Sequence, residues 1–428
     1  MKRVVALFKD RAIRSWALYD WANSVFATTV LAGFFPVFFK QYWSAEADAV
    51  TSTAQLGFTN SIASALFLIA APILGAIADG GATRKKYLGA FTLLGVVATT
   101  GLYFVDQGEW LTAAWVFTFA TAGFWGSIIF YDALIRSVSP IDRLDEVSSL
   151  GYALGYLGGG VLFAINVYMT LSPRTFGLAD ASESIKVSFL TVAIWWVVFS
   201  IPLFRFVREP PRAGAGESAV LNGLRALFNT FRDFRRYKGV AIFLLAYFFY
   251  IDGVHTIIRM AVDYGMALGF PAESLIVALL ITQFVGFPAA VMFGMAAARF
   301  GPKPALYFGV ALYAGVTIYA FFMSNVVEFY VLAAVVGLIQ GGVQAVSRSL
   351  YARFVPTNQS GEFFGFFNMV SRFAAILGPS LVAITGLLTG SSRLGLLSII
   401  VLFIVGLVLL SFVREPEKGD LASKQLAV

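Results

Sequence analysis

The chain has 428 residues, of which 59% are apolar and only 13% are charged, whereas about 25% of the residues of an average soluble protein are charged. With a mean hydropathy of +0.79, this composition excludes a soluble globular protein and predicts a polytopic protein of the lipid bilayer. The lack of cysteine excludes disulfides and thiol catalysis, and the single histidine excludes a His-rich metal site, so no cofactor is expected.

Twelve apolar stretches are long enough to cross a bilayer, which takes about 20 residues of helix. They are continuous rather than alternating, which favours helices over strands. We call them spans 1 to 12, at residues 16–39, 54–78, 87–105, 111–135, 147–171, 187–207, 239–262, 274–298, 304–323, 327–350, 363–389 and 393–413. The first is too long for a cleaved signal peptide, so we expect it to be a retained helix.

The loops between the spans differ in charge. Of the 31 Lys and Arg residues, 25 lie on one side of the predicted membrane, 4 lie on the other side and 2 lie within spans. Because basic loops stay in the cytoplasm, both termini are predicted to be cytoplasmic and the protein to reside in the cell (inner) membrane. We call the cytoplasmic end of each span its inner end. The net charge of +7 is explained by this topology, so no nucleic-acid partner is expected.

The sequence contains an internal repeat. The pentapeptide Phe-Val-Arg-Glu-Pro closes span 6 at 206–210 and span 12 at 412–416, and we interpret it as an anchoring motif where Arg208 and Arg414 meet the membrane surface. The spacing Leu-x5-Pro-x5-Glu follows spans 4 and 10, at 134–146 and 350–362. We therefore predict a first bundle at 1–207 and a second at 239–428. The linker 208–238 carries apolar residues at helical spacing, which predicts an amphipathic surface helix, with a solvated linker as the alternative.

Each half contains an even number of spans, so the repeats are parallel, as in the major facilitator superfamily. The loop at 75–81, with Asp79 followed by Arg84 and Lys85, resembles the signature of that superfamily between spans 2 and 3. The resemblance implies an all-α fold of twelve transmembrane helices in two six-helix repeats. It also implies that Asp79, Arg84 and Lys85 take part in gating. Ala298 replaces the acid in the second copy, so a second latch is not implied.

Four segments look like one narrower group: Ala17–Ser24, Gly151–Gly160, Tyr250–Met260 and Gln340–Ser349. They resemble the bacterial relatives of the fungal autophagy-related vacuolar amino-acid effluxer. His255 departs from the polar amide expected at its position. The eukaryotic relatives imply amino-acid export, whereas the substrate of the bacterial members does not follow.

Polar residues within the membrane concentrate in spans 1, 4, 7 and 10, which are the cavity-lining spans of the superfamily. A charge near the bilayer centre costs at least about 2.5–3.5 kcal/mol, so it usually faces a cavity or a partner. The candidate residues for substrate binding or proton coupling are Asp20, Asn23, Asp132, Asp252, His255, Arg259, Gln340, Gln344, Asn368 and Arg372. Arg136 and Arg348, near inner ends, join the gating set.

Depth separates these candidates. Asp20, Asp132 and Arg348 lie toward inner ends and predict a gate or structural salt bridge, with Arg136 at i+4 as a possible partner of Asp132. Proton or substrate contact is the alternative. One face of span 7 carries Asp252, His255 and Arg259. It could bind a zwitterion, or it could be a self-compensating ladder in which Arg259 pairs with Asp252 or Asp263. Arg372 is either a second carboxylate anchor or a side chain that snorkels toward the inner side.

The predicted function is secondary active transport of a small polar metabolite, with an amino acid as one candidate. Transport by alternating access would be coupled to protons through Asp20, Asp132 or Asp252, in a chain that works as a monomer. The alternative is a non-transporting membrane receptor or scaffold with the same fold. The sequence has no Gly-x4-Gly-Lys-Ser/Thr phosphate loop and no convincing nucleophile and base, so neither ATP use nor enzymatic activity is expected.

Overall fold

The computed structural model describes residues 2–47, 51–52, 55–56, 58–59, 73–74, 84–209, 238–355, 360–374 and 376–415. These residues include 11 helices that are long and apolar enough to cross a membrane. They correspond to every predicted span except span 2. Most of span 2, the gating residue Asp79 and the predicted surface helix of the linker lie outside the described residues.

The helices agree with the predicted spans to within a few residues at most ends. A short helix, Lys2–Lys9, precedes the first bundle. The first bundle contains Arg11–Trp43 (span 1), Arg84–Phe104 (span 3), Trp110–Val138 (span 4), Leu144–Leu171 (span 5) and Ala181–Phe206 (span 6). The second contains Lys238–Ala267, Ala272–Phe300, Pro302–Phe322 and Val326–Phe354 as spans 7 to 10, then Ser360–Phe373 with Leu377–Thr389 (span 11) and Ser392–Leu397 with Ile400–Ser411 (span 12).

Side-chain caps set the starts of three helices at their predicted outer ends. Asp180 accepts a hydrogen bond from the Glu183 amide at 2.9 Å, where span 6 begins. Asn325 does the same for the Glu328 amide at 3.0 Å, where span 10 begins. Ser391 caps span 12. Such caps satisfy amide groups that have no partner within the helix.

Spans 1 and 11 depart from regular α-helix close to candidate site residues. Span 1 widens to a π-helix over Phe26–Phe34, directly after the segment that carries Asp20 and Asn23. Span 11 ends its first helix at Phe373 and starts the second at Leu377. Pro379 in that second segment cannot donate a backbone hydrogen bond, which accounts for an interruption at this point.

Glycines allow span 5 to pack closely on span 1. A Cβ atom on Gly151, Gly155, Gly158 or Gly159 would lie 2.5–2.6 Å from atoms of span 1. Real side chains do not approach so closely, so the glycine-rich segment serves helix packing. On the outside of the bundle, apolar side chains such as Leu387 and Leu388 are 85% and 83% exposed. In a membrane such side chains face lipid.

The repeated pentapeptide makes equivalent contacts in both halves. The Glu209 carboxylate accepts hydrogen bonds from the amides of Arg84, at 2.9 Å, and Lys85, at 3.2 Å, at the start of span 3. The Glu415 carboxylate accepts one from the Lys303 amide, at 3.1 Å, at the start of span 9. Each glutamate therefore caps the N-terminus of a neighbouring helix in its own half.

A lysine completes the contact in each half. Lys85 Nζ donates to two backbone carbonyls at the end of span 6, both at 2.7 Å. Lys303 Nζ donates to two at the end of span 12, at 2.9 and 2.7 Å. We call each Glu–Lys pair a clasp. The pentapeptide thus joins span 6 to span 3 and span 12 to span 9, through its glutamate rather than through Arg208 or Arg414.

Replacing both clasp glutamates should lower the stability of the protein. Glu209→Gln and Glu415→Gln are each expected to reduce the free energy of unfolding by about 0.5–2 kcal/mol, because each weakens a helix cap. Thermal unfolding of the purified protein in detergent measures the effect. The control is Arg208→Gln, at an exposed neighbour in the same pentapeptide. A loss in the control equal to that of Glu209→Gln would contradict the assignment to the clasp.

Candidate functional site

Arg348 of span 10 is buried at the boundary between the two halves, with 2% of its surface exposed. Its guanidinium donates to Asp132 of span 4 at 3.0 Å and to Asp20 of span 1 at 3.4 Å. It also donates to the hydroxyl and the carbonyl of Ser148 in span 5, at 2.9 and 2.8 Å. One side chain of the second half thus binds three helices of the first. We call Arg348, Asp20, Asp132, Ser148 and Asn368 the Arg348 network.

The two carboxylates have further partners. The Tyr131 hydroxyl donates to Asp20 at 2.7 Å, and the Asn368 amide donates to the second oxygen of Asp132 at 3.2 Å. The network nevertheless contains two carboxylates for one guanidinium. Because buried charge requires compensation, this surplus of negative charge is a place where a proton can be held.

Aromatic rings surround the guanidinium of Arg348. Its central carbon lies 4.4 Å from the ring centroid of Tyr152, 4.9 Å from that of Trp16 and 5.4 Å from that of Tyr131. All three rings belong to the first half. They add cation–π attraction and separate the ion pairs from lipid.

A second set of contacts lies about one turn closer to the inner end. Asp145 of span 5 accepts a 2.5 Å hydrogen bond from Ser349 and pairs with Arg353, both of span 10. Ser148 also donates to the Ala345 carbonyl at 2.7 Å. Within the described residues, the side-chain hydrogen bonds that join the halves cluster at this end. The predicted inner end is therefore closed.

The structure brings some of the predicted site residues together at this end and places others elsewhere. Asp20, Asp132, Asn368 and Arg348 meet in one network, although the sequence placed them in four separate spans. Asp132 bonds to Arg348 and Asn368 rather than to Arg136, because its carboxylate faces the second half. Arg84 and Lys85 bond instead to Glu209 of their own half.

Sequence reasoning missed Ser148, Tyr131, Tyr152 and Trp16. These are neutral residues within apolar stretches, and their part in the network depends on how the helices pack. The repeated spacing Leu-x5-Pro-x5-Glu was the nearest signal, since Ser148 follows its first copy directly. That spacing identified the segment but not the side chain.

Asp252 of span 7 is fully buried and occupies a different kind of site. Both of its carboxylate oxygens accept from the Gly378 amide, at 3.0 and 2.9 Å. Gly378 lies at the start of the second segment of span 11, so Asp252 caps this interrupted helix. A Cβ atom on Gly378 would collide with the Thr256 hydroxyl, which explains the glycine. This arrangement supports a structural role for Asp252.

His255, Arg259 and Arg372 form the rest of a group that, with Asp252, we call the central cluster. His255 lies within electrostatic range of both arginines. Arg372 does not simply extend toward the inner side, because its guanidinium rests on the ring of Trp125 in span 4. The Nδ1 atom of His255 and the Nε atom of Arg372 are buried without a hydrogen-bond partner in the described part of the chain.

The remaining candidates line the same boundary less tightly. Gln340 lies near the Tyr156 hydroxyl of span 5. Gln344, one turn nearer the inner end, is half-buried. Asn23 of span 1 is 2% exposed, and its amide nitrogen has no partner among the described residues. Within the same residues no three metal-ligating side chains come together.

Comparisons with known proteins identify the family. The model described as "Vacuole effluxer Atg22 like" matches residues 49–139 and 136–422, most of the chain. The chain belongs to the Atg22-like family. A Bacillus subtilis protein described as an uncharacterized MFS-type transporter is 40% identical over 416 residues, which cover 96% of both chains. Autophagy-related protein 22 of Yarrowia lipolytica is 28% identical over 308 residues, covering 64% of this chain and 51% of the fungal protein.

The fold is that of the major facilitator superfamily. The proton:xylose symporter XylE superposes with a TM-score of 0.69 at 14% identity, covering 98% of both chains. This Atg22-like protein is thus a multi-pass membrane protein of a transporter superfamily, which agrees with the expectation that it is not an enzyme.

Removing the cation of the Arg348 network should be strongly destabilising. Arg348→Gln leaves Asp20 and Asp132 buried without a cation, and we expect a loss of about 3–5 kcal/mol in the free energy of unfolding. Adding Asp132→Asn removes one of those carboxylates. The double variant should therefore be more stable than Arg348→Gln alone, as measured by thermal unfolding.

The matched control is Arg353→Gln, at an inter-half ion pair whose arginine is 15% exposed. Its loss should be smaller, because water partly solvates the charge. A double variant no more stable than Arg348→Gln would contradict charge compensation as the basis of the network.

Proposed function

We propose that the protein is a secondary active transporter that moves a small polar metabolite by alternating access between its two halves. The observation that carries this proposal is the Arg348 network, in which one end of the boundary between the halves is held by a few breakable polar contacts. Ion pairs and hydrogen bonds can exchange for water when that end opens, whereas a continuous apolar interface would resist opening. The central cluster lies along the same boundary and offers polar groups to a solute.

The proposed orientation follows from loop charge. Both termini would be cytoplasmic in the cell (inner) membrane, so the closed end would face the cytoplasm and the structure would correspond to an outward-facing state. The working unit would be a monomer, because both halves and the whole polar boundary come from one chain. An amino acid is the substrate class that the family resemblance implies.

Cross-linking the closed end should stop transport. The chain has no cysteine of its own, and Asp145 lies within hydrogen-bond distance of Ser349 across the boundary. We expect the pair Asp145→Cys and Ser349→Cys, joined by a short reducible reagent, to lose transport and to regain it on reduction. Each single-cysteine variant is the control.

The transported compound is first found by thermal stabilisation of the purified protein with a metabolite panel that begins with amino acids. Its labelled form is then followed into proteoliposomes. Transport that continues at the same rate in the cross-linked pair would contradict alternating access. Stabilisation without uptake would favour the receptor alternative.

We further propose proton coupling through Asp20. It shares one guanidinium with Asp132, its contact with Arg348 is the longer of the two, and its side chain is 13% exposed against 5% for Asp132. Asp20 is therefore the carboxylate that water reaches more easily, and the surplus charge of the pair can be neutralised there.

Replacing Asp20 should abolish the coupling of transport to protons but preserve substrate exchange across the membrane. Asp20→Asn proteoliposomes are expected to lose accumulation driven by a proton gradient, because the coupling carboxyl is absent. They should keep exchange of labelled for unlabelled substrate, because exchange needs no net proton movement. Asp142→Asn, which changes an exposed carboxylate at the predicted inner end, is the control and should accumulate substrate. Undiminished gradient-driven accumulation by Asp20→Asn would contradict the assignment.

A further inference from the structure

Within the described residues, the central cluster holds two guanidinium groups but only one carboxylate. The side chain of Asp263, the other acid predicted to pair with Arg259, lies outside them. Arg259 belongs to span 7 and Arg372 to span 11, and the two lie close enough to repel each other electrostatically. Among the side chains that the structure describes, no carboxylate lies within the 4.0 Å of an ion pair from either guanidinium. Asp252 attracts Arg259 only at longer range.

The carboxylate of Asp252 is already engaged. It accepts from the Gly378 amide with both oxygens, and the Thr256 hydroxyl donates to the backbone carbonyl of the same residue at 2.7 Å. An ammonium group entering the cluster would have to compete with these bonds for the acidic partner. The cluster therefore lacks a free acceptor for a cation, while it has an excess of cationic donors.

Trp125 determines how Arg372 presents those donors. The guanidinium carbon lies over the indole ring, and a guanidinium stacked on an aromatic ring keeps the N–H groups at its edge available to a carboxylate. Its Nε atom is buried and has no hydrogen-bond partner in the described part of the chain, and the same is true of Nδ1 of the neighbouring His255. Buried polar atoms usually have a partner, and a bound anion would supply one to the Nε donor of Arg372.

We propose that the central cluster is a binding site for a small organic dianion, with one carboxylate of a dicarboxylate on Arg259 and the other on Arg372. This inference rests on the proposed function, since the dianion would be the transported solute. The ligand would neutralise two repelling cations and give the buried Nε donor of Arg372 a partner. Because Trp125 belongs to the first half and both arginines to the second, binding would also involve both halves of the transporter.

Two probes of equal carbon number test the charge requirement. Succinate carries two carboxylates, and 4-aminobutyrate carries an ammonium in place of one of them. Isothermal titration of the purified wild-type protein should show succinate binding at least about tenfold tighter, because one charge-assisted pair is lost with 4-aminobutyrate. Equal or tighter binding of 4-aminobutyrate, or no binding of succinate at millimolar concentration, would overturn the proposal.

Three variants test the residues. Arg259→Gln and Arg372→Gln should each weaken succinate binding by about ten- to a hundredfold, whereas Arg299→Gln, at an exposed arginine at the inner end of span 8, should not. Thermal unfolding without ligand verifies that each variant is folded. Arg372→Lys keeps the charge without the planar edge, and it replaces Arg372→Gln if that variant does not fold. Unchanged succinate affinity in both arginine variants would overturn the site.

Flux measurements distinguish this inference from the proposed function. If succinate binds in an arginine-dependent way but does not enter proteoliposomes, the proposed transport is wrong and the anion site stands. If a zwitterion is transported and Arg259→Gln and Arg372→Gln leave its uptake unchanged, the anion site is wrong and transport stands.

Discussion

The structure depends on the compensation of charge inside a bilayer. Arg348 brings a guanidinium into the middle of the bundle, and the surrounding helices are arranged to neutralise it. Gly151 shows how far this requirement extends, because a Cβ atom there would lie 2.5 Å from the Asp20 carboxylate and 3.1 Å from the Arg348 guanidinium. The absence of a side chain at Gly151 therefore leaves space for the ion pairs between the closely packed spans 1 and 5. In this region, helix packing and charge compensation depend on the same small residue.

The polar residues form two groups at different depths in the bundle, and the two groups differ in their balance of charges. The Arg348 network has more carboxylates than guanidinium groups, and the central cluster has more guanidinium groups than carboxylates. Arg372 and Asp132 lie close enough for their charges to interact, so the two groups are not electrically independent. A proton taken up by one group would raise the affinity of the other for an anion. Charge balance alone could thus link a proton to a solute without direct contact between them.

Much of the fold could be predicted from the sequence, because hydropathy and the internal repeat are properties of whole segments. The residues of the site were also recognisable, since charges such as Asp20, Asp132 and Arg348 are conspicuous in apolar spans. Their partners were not predictable. Asp132 has a basic neighbour at i+4, yet its partner lies in the other half of the chain, and the geometry between halves leaves no periodic pattern in the sequence.

The contacts of Asp252 and Arg372 show the same limit. Asp252 bonds to a backbone amide, which every residue but proline has, so no side chain marked the partner. Only the Gly-Pro pair at 378–379 hinted at an interrupted helix. Arg372 rests on Trp125, one of 8 tryptophans in a chain where aromatic residues make up 16% of the sequence. With so many rings available, composition could not single out this one.

The clasps have a mechanical consequence. Each ties two helices of the same half at their inner ends, through bonds that begin and finish within that half. A rotation of one half against the other therefore leaves both clasps unbroken, while the contacts of spans 1, 4 and 5 with spans 10 and 11 must separate. Each half can then move as a rigid body, because its clasp keeps the two joined helices in place near the membrane surface. The duplicated pentapeptide would then help to concentrate the motion at the boundary between the halves.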